Sequence, residues 1–349
     1  MAVVRAMILA AGLGTRLRPL TDLRAKPALP VRGRPVISLL LEFLARQGCR
    51  EVMINLHHRS ESVRAAVETD HPAELEISWS EESVALGTGG GIRRAANFLR
   101  KGESCVVLAG DMLLDVPLKE LFDRHVASRR HVTLVLRDDA RAERFGSIGT
   151  NRDGFVTRIG TRTVTRDPAF KLESGEAEVA SGLFTGVRFF QAESLTDWPT
   201  RDRVSDEDAG SDKDDKEETK ETVFEDLRDW LVPGIEVRGL AVGAEILDTR
   251  RSVWEPVGTP AEYLQANLTP PDLPTLGGAV ENWTGDVEVR GANHDVIVSK
   301  RAHVGEDTEL ERCVIWDGET VPAGFRGQSG VYAGGDFRSC LAATTDATS

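Results

Sequence analysis

The chain has 349 residues, 40% hydrophobic and 28% charged, with a formal net charge of −13. That length suggests two domains, or one large domain with an appendage, and the globular composition excludes a disordered or collagen-like chain. The balance of 56 acidic against 43 basic residues argues against general nucleic-acid binding, which needs basic surface, and no stretch of about 20 apolar residues is present to span a membrane as a helix.

Val3–Leu9 is a compact apolar run that ends in a Gly-containing loop, as a buried parallel strand does. The apolar reach from Ala6 to Leu13 is too short and too closely bounded by glycine for a signal peptide. Pro35–Gln47 carries apolar residues at helical spacing, and Gly48 stops it. Glu51–Leu56 then reads as a strand, Ser60–Glu68 as a short helix, Leu75–Trp79 as a strand and Ile92–Leu99 as a helix. Ser104–Leu108 is a predicted strand, Leu118–Ser128 a helix and His131–Leu136 a strand. This rhythm predicts an α/β, three-layer Rossmann-like fold whose mainly parallel sheet is covered on both faces. Ligands in such folds bind beyond the carboxyl ends of the strands, where the strand order reverses. The loop after the first strand and the Gly110-Asp111 pair are therefore the places to look.

Between Arg201 and Glu221, ten acids meet five bases with almost nothing apolar to bury. Residues 201–221 are expected to be a solvated, mobile insertion in a domain spanning 1–268, with an acidic docking loop as the alternative. Residues 269–278 are rich in Pro and Gly and read as a linker. Between 279 and 330, Val298, Val304 and Leu310 recur every six residues, and Ala302-His303-Val304-Gly305 has the style of a hexapeptide repeat. A short parallel β-helix follows from that period, with Trp316 stacking in its register; a pair of irregular hairpins is the alternative. Residues 331–349 are expected to form a flexible tail. Cys49, Cys105, Cys313 and Cys340 contain no CxxC pair, which indicates neither a disulfide framework nor a zinc knuckle and makes the cytoplasm the default location. His57-His58 lacks a third ligand at zinc spacing and is expected to be hydrogen-bonded instead.

The loop after the first strand reads Leu9-Ala10-Ala11-Gly12-Leu13-Gly14-Thr15-Arg16-Leu17-Arg18-Pro19-Leu20-Thr21, with Lys26-Pro27 beyond it. Gly12 and Gly14 let the backbone approach a ligand, and exposed N–H groups in such a turn cradle phosphate oxygens. Arg16 offers a bidentate fork and Lys26 a compact charge. Neither a dinucleotide fingerprint nor a Walker loop fits this string. It resembles, nearly position for position, the signature of the sugar-1-phosphate nucleotidyltransferases, Leu-Ala-Ala-Gly-x-Gly-Thr-Arg-Leu-x-Pro-Leu-Thr followed by Lys-Pro.

The resemblance runs to about residue 268 and is closest in look to mannose-1-phosphate guanylyltransferases with a short left-handed β-helical tail. It implies transfer of a nucleoside monophosphate from an NTP to a sugar 1-phosphate, with Mg2+ as cofactor and homo-oligomers left open. It assigns Arg16 to the leaving phosphates, Lys26 to the charge near the attacked phosphate, and Asp111, in Leu108-Ala109-Gly110-Asp111, to the metal. Leu9, Ala10, Ala11, Gly12, Gly14 and Thr15 would line the nucleotide, with Gly87 and Thr88 of Leu86-Gly87-Thr88-Gly89-Gly90-Gly91 as the nucleobase loop. Glu82 lies where the family places an acid or amide that meets the base, and a carboxylate accepts well from the adjacent N–H donors of guanine; a solvated surface acid is the alternative.

On the sugar side, Phe145-Gly146-Ser147-Ile148 and Phe184-Thr185-Gly186-Val187 resemble family segments that contact the sugar. Gly146, Thr185 and Gly186 are the candidates carried over, and Arg162, within Thr161-Arg162-Thr163, stands nearest the family's missing Glu-Lys-Pro. Trp254-Glu255-Pro256-Val257-Gly258-Thr259-Pro260 resembles Trp-x-Asp-x-Gly-Thr-Pro, but Pro256 occupies the place of the second metal-binding aspartate. Glu255, Asp226 and Asp248 are the acids considered in its stead. The loss motivates an alternative: a non-catalytic, NDP-sugar-binding regulatory homologue.

Overall fold

The computed structural model describes residues 4–128, 130–165, 177–196, 223–279 and 294–341, so the acidic segment 201–221 lies outside the described residues. Its first half follows the predicted rhythm: β1 (Val4–Leu9), α1 (Val36–Arg46), β2 (Cys49–Leu56), α2 (Ser60–Thr69), β3 (Glu76–Glu81), α3 (Gly87–Leu99) and β4 (Ser104–Ala109). β1 pairs in parallel with β2 on one side and β4 on the other, and β2 pairs in parallel with β3. Ala6, Met7, Ile8 and Cys105 through Leu108 are fully buried, which is why these strands read as continuous apolar runs. The chain winds from β1 outward through β2 to β3, then returns to the far side of β1 as β4. The strand order thus reverses between β1 and β4, and a crevice opens at their carboxyl ends. There Gly110 donates its N–H to the Leu9 carbonyl at 2.9 Å.

The second half widens the sheet. β5 (Met112–Asp115), α4 (Leu118–Ala127), β6 (Val132–Arg137), β7 (Ile148–Thr150) and β8 (Val156–Ile159) lead to the long β9 (Ala180–Gln191). β9 lies antiparallel to β4, β6 and β7. After α5 (Val232–Arg238), β10 (Val242–Leu247) adds in parallel to β6, and β11 (Val253–Pro256) pairs antiparallel with β5 before α6 (Pro260–Leu268). Side chains alternate across a strand, so Phe189 and Phe190, both fully buried, enter different cores on the two faces of the sheet. The Thr259 hydroxyl accepts from the Glu262 N–H at 3.2 Å and caps α6, whose first residue is Pro260.

Several expectations change. The glycine-rich stretch read as a loop before Ile92 is the first turn of α3, which starts at Gly87. The stretch 269–278 is packed rather than a free linker. Leu273 is fully buried, and Thr275 donates through its N–H and hydroxyl to the Asp115 carboxylate, each at 2.7 Å. Beyond it, β12 (His294–Val298), β13 (Glu309–Ile315) and β14 (Arg326–Ala333) stack in parallel. Glu311 lies opposite His294 and Gln328 opposite Glu311, a coil repeat of 17 residues that hairpins do not produce. Val298 and Leu310 fill the coil, with Val304 packed against them. The segment expected to be tail is strand as far as Ser339, because β15 (Asp336–Ser339) folds back antiparallel on β14; residues 342–349 lie outside the described residues.

Trp316 does not stack inside the coil. It faces the larger domain, joins its main core and donates its indole N–H to the Tyr263 hydroxyl at 2.8 Å. No helix among the described residues is long and apolar enough to cross a membrane.

Candidate active site

The loop after β1 is shaped by one backbone demand. Gly14 has φ +63°, and a Cβ there would come within 2.7 Å of the Thr21 side chain. The turn Thr15–Leu17 starts from that left-handed residue, and Thr21 donates its hydroxyl to the Gly14 carbonyl at 2.9 Å. Leu17 and Leu20 are buried and anchor the turn, which leaves Gly12, Leu13, Thr15 and Arg16 exposed. Among the described residues, the N–H groups of Gly12, Leu13 and Gly14 donate to nothing in the protein. Free backbone donors on successive residues of such a turn suit an anion.

Two cavities meet below this turn. One, of about 540 Å³, is lined by Leu9, Ala10, Ala11, Gly12, Gly14 and Thr15 on one wall and by Glu82, Gly87 and Thr88 on the other. The second, of about 450 Å³, holds Arg16, Gly146, Thr185, Trp254, Pro256 and Glu262. Lys26, Asp111 and Gly186 line both. The short 3-10 turn Lys26–Ala28 presents the ammonium group, and Lys26 donates it to the Asp111 carboxylate just past β4.

Glu82 is only 6% exposed, so it is not a solvated surface acid. Its two oxygens accept from the Asn55 amide at 2.7 Å and the Leu86 N–H at 3.1 Å. Asn55 in turn accepts from the Ala10 N–H at 2.7 Å, so Glu82 joins the start of α3 to the turn after β1. The Thr88 hydroxyl lies 2.6 Å from a Glu225 oxygen and 2.7 Å from an Asp226 oxygen, which ties α3 to the segment after residue 223.

Other candidates move. Arg162 does not line the cavity: it sits on an exposed edge and pairs with Glu236 at 2.7 Å. Spacing alone could not show that its short hairpin turns it outward. Thr185 lines the cavity, but its hydroxyl donates to the Val135 carbonyl at 2.8 Å and its carbonyl accepts the Trp254 indole N–H at 2.7 Å. Its polar groups therefore hold the wall and do not face a ligand. His57 and His58 each hydrogen-bond a backbone carbonyl at 3.0 Å, as expected.

The acids considered in place of Pro256 are engaged elsewhere. Asp226 is buried against Arg188 at 2.9 Å, Asp248 is paired with Arg250 at 3.2 Å, and Glu255 stands 3.7 Å from Arg141. Glu255 fails to line the cavity while its neighbours Trp254 and Pro256 do, as strand alternation demands. Glu262 is the carboxylate that joins Asp111 there; it accepts the Gly258 N–H at 2.9 Å. A Cβ at Gly258 would come within 2.9 Å of a Glu262 oxygen, with the Lys26 and Arg16 nitrogens 3.8 and 3.9 Å away, so this glycine leaves room for the Glu262 carboxylate beside the two cations.

Among the lining residues that escaped the sequence reading are Glu262, Arg141, Glu225 and Arg188. None lies in a motif. Arg188 is buried in mid-strand, where an apolar residue is the rule, and that departure was the available signal.

The sequence profile of the family "Nucleotidyl transferase" matches residues 5–271. The chain belongs to that family. The mannose-1-phosphate guanylyltransferase of Mycobacterium tuberculosis (strain ATCC 25618 / H37Rv) is 28% identical over 336 residues, 92% of this chain and 82% of the relative. The D-glycero-alpha-D-manno-heptose 1-phosphate guanylyltransferase of Aneurinibacillus thermoaerophilus is 30% identical over 198 residues, 56% of this chain and 80% of the relative. The crystal structure of HddC from Yersinia pseudotuberculosis superposes with a TM-score of 0.56 at 20% identity, covering 76% of this chain and 98% of that one, and so shares its fold. This nucleotidyltransferase is an enzyme of a family that generally uses divalent metal ions.

Among the described residues no group of three or more His, Cys, Asp or Glu is placed to hold a metal. The donor set suits a hard cation that takes most of its oxygens from phosphates and water. Asp111 supplies a carboxylate where the two cavities join, and Gly258 leaves room for that of Glu262.

Proposed function

We propose that this nucleotidyltransferase joins the nucleoside monophosphate of an NTP to a sugar 1-phosphate, releasing pyrophosphate, and that GTP and mannose 1-phosphate are its pair. The observation that carries the reading is the junction of the two cavities at Lys26 and Asp111: a nucleotide-sized space and an acceptor-sized space share one wall of charge. Guanylyl transfer is favoured by the carboxylate of Glu82 on the base side and by the names of the relatives from M. tuberculosis and A. thermoaerophilus. We read the parallel coils of the appendage as a short left-handed β-helix.

In this mechanism a phosphate oxygen of the sugar 1-phosphate attacks the α-phosphorus. A P–O bond forms there as the bond to the bridging oxygen breaks, and pyrophosphate leaves in line. Little covalent help is needed, so positioning and charge neutralisation carry the rate. The free N–H groups of the turn hold phosphate oxygens, Arg16 grips the leaving phosphates and Lys26 offsets charge at the attacked group. Asp111 would hold Mg2+, with Glu262 the other carboxylate lining the acceptor cavity; the bound ion would supply charge neutralisation across the triphosphate.

A pyrophosphate-release screen pairing GTP, ATP, UTP and dTTP with mannose, glucose and heptose 1-phosphates tests the reading. The fastest release should come from GTP with mannose 1-phosphate, and faster turnover with UTP or dTTP would overturn the base assignment. Pro256 favours one other outcome: GDP-mannose bound without metal and no pyrophosphate from any pair would mark a regulatory homologue.

A further inference from the structure

With Arg162 turned outward, the acceptor cavity needs another source of charge for a phosphate, and Arg141 has the geometry for it. Its guanidinium is pinned on one edge: Nε and Nη2 donate to the two oxygens of Asp139 at 2.8 and 2.6 Å, and the Arg141 N–H donates to the same carboxylate at 2.9 Å. Its plane is also held over the Trp254 ring, 5.0 Å from the centroid. The remaining nitrogen, Nη1, donates no hydrogen bond among the described residues; it makes only a long ion pair with Glu255, at 3.7 Å. The residue lines the same cavity as Arg16, Lys26 and Glu262.

A free arginine must lose side-chain entropy before it grips a ligand, whereas one already clamped and stacked has lost it on folding. The local charge fits a phosphate monoester. The side chains lining the cavity bring three positive charges, on Arg16, Lys26 and Arg141, against two negative ones, on Asp111 and Glu262, with Lys26 paired to Asp111 and Arg141 paired behind the wall to Asp139.

We propose that Arg141 binds the phosphate of the sugar 1-phosphate through Nη1, with Asp139 and Trp254 as positioning residues. The inference rests on the acceptor reading of this cavity and names the residue that selects a phosphomonoester there. Arginine is required, because a lysine has one ammonium and cannot be fixed by Asp139 through two parallel bonds while donating from a third edge.

The test compares the full-length protein with Arg141→Ala, Arg141→Lys and Asp139→Asn, each checked for an unchanged melting temperature. For Arg141→Ala, the KM for mannose 1-phosphate should rise by about ten- to a hundredfold, the loss of one charge-assisted hydrogen bond, with the KM for GTP within about twofold. Arg141→Lys should recover only part of the loss, and Asp139→Asn should fall between Arg141→Lys and wild type. An unchanged acceptor KM in Arg141→Ala, or an equal rise for GTP, overturns the assignment. Calorimetric titration of mannose 1-phosphate into protein saturated with a non-hydrolysable GTP analogue gives a second readout that does not depend on turnover. No pyrophosphate from the wild type, with mannose 1-phosphate binding that Arg141→Ala abolishes, would sink the catalytic reading and leave the binding role standing. Binding of equal strength to wild type and Arg141→Ala would sink the role of Arg141 alone. If any of these variants fails to fold, Arg141→Gln takes its place in both measurements.

Discussion

Lys26 donates its ammonium group to the Asp111 carboxylate at the one wall common to both cavities, across 85 residues of sequence. The pair sets the centre of the site at zero net charge. In the proposed reaction a triphosphate entering there would meet a lysine already largely buried, and a carboxylate that keeps lone pairs for a cation.

Replacing Lys26 or Arg16 with Ala should lower kcat/KM by at least about a hundredfold, because each removes a fixed charge from a site that works by electrostatic positioning. Steady-state pyrophosphate release measures the loss, and thermal unfolding checks the fold. Arg16 is exposed and its replacement should leave stability unchanged. Activity indifferent to either substitution contradicts the roles given to these residues.

Pro256→Asp should restore a carboxylate on the cavity face of β11 and lower the Mg2+ concentration needed for half-maximal activity. Pro256 occupies the last position of that strand, opposite Met112, so the proline N–H it lacks is no loss to a central ladder. A titration of activity against Mg2+ in both proteins decides it. An unchanged midpoint would mean that the substrate oxygens and Asp111 already satisfy the ion.

The shape of the turn after β1 was legible because it is written in backbone terms: Gly14 is left-handed, and Leu17 and Leu20 are buried to hold it. The parallel strands were legible because full burial leaves only apolar residues. Arg141 was not, since its role depends on Asp139 two residues earlier and on Trp254 more than a hundred residues later, and no local pattern joins them. Arg162 misled for the same reason. A cation in the right stretch of sequence says nothing about which way a two-residue strand turns. Trp316 carried the right period and the wrong partner, because its indole N–H needs an acceptor, and Tyr263 on α6 provides one outside the coil.

That contact makes its own prediction. The Tyr263 hydroxyl accepts from Trp316 and donates to the Pro30 carbonyl at 2.6 Å, so the coil, α6 and the segment before α1 are joined by one buried relay. Burial pushes the Tyr263 hydroxyl well above the usual tyrosine range, so it stays protonated and keeps donating. Trp316→Phe should cost about 1–3 kcal/mol, the loss of a buried hydrogen bond plus packing. Urea unfolding of the full chain measures it, and a loss below about 0.5 kcal/mol would show that the coil docks without this bond.

The last prediction concerns pH. His125, in the final turn of α4, is only 1% exposed, lies 2.8 Å from the Thr133 hydroxyl through Nδ1 and stacks on Phe189. Burial pushes its pKa down to about 4 from the ordinary 6.5. The folded state therefore holds the imidazole neutral while the unfolded chain takes up a proton as soon as the pH falls below about 6.5. Stability from this site is full above that pH and is lost as the pH falls from about 6.5 to about 4, by up to about 3 kcal/mol. His125→Leu removes the proton site and leaves the Thr133 hydroxyl without its partner, so the variant should be less stable at pH 7 by about 1–3 kcal/mol. Its deficit should shrink as the pH is lowered toward 4, because only the wild type pays for protonation. Urea unfolding of both proteins at several pH values measures the gap, and a gap that stays constant across that range would show that His125 does not control acid stability.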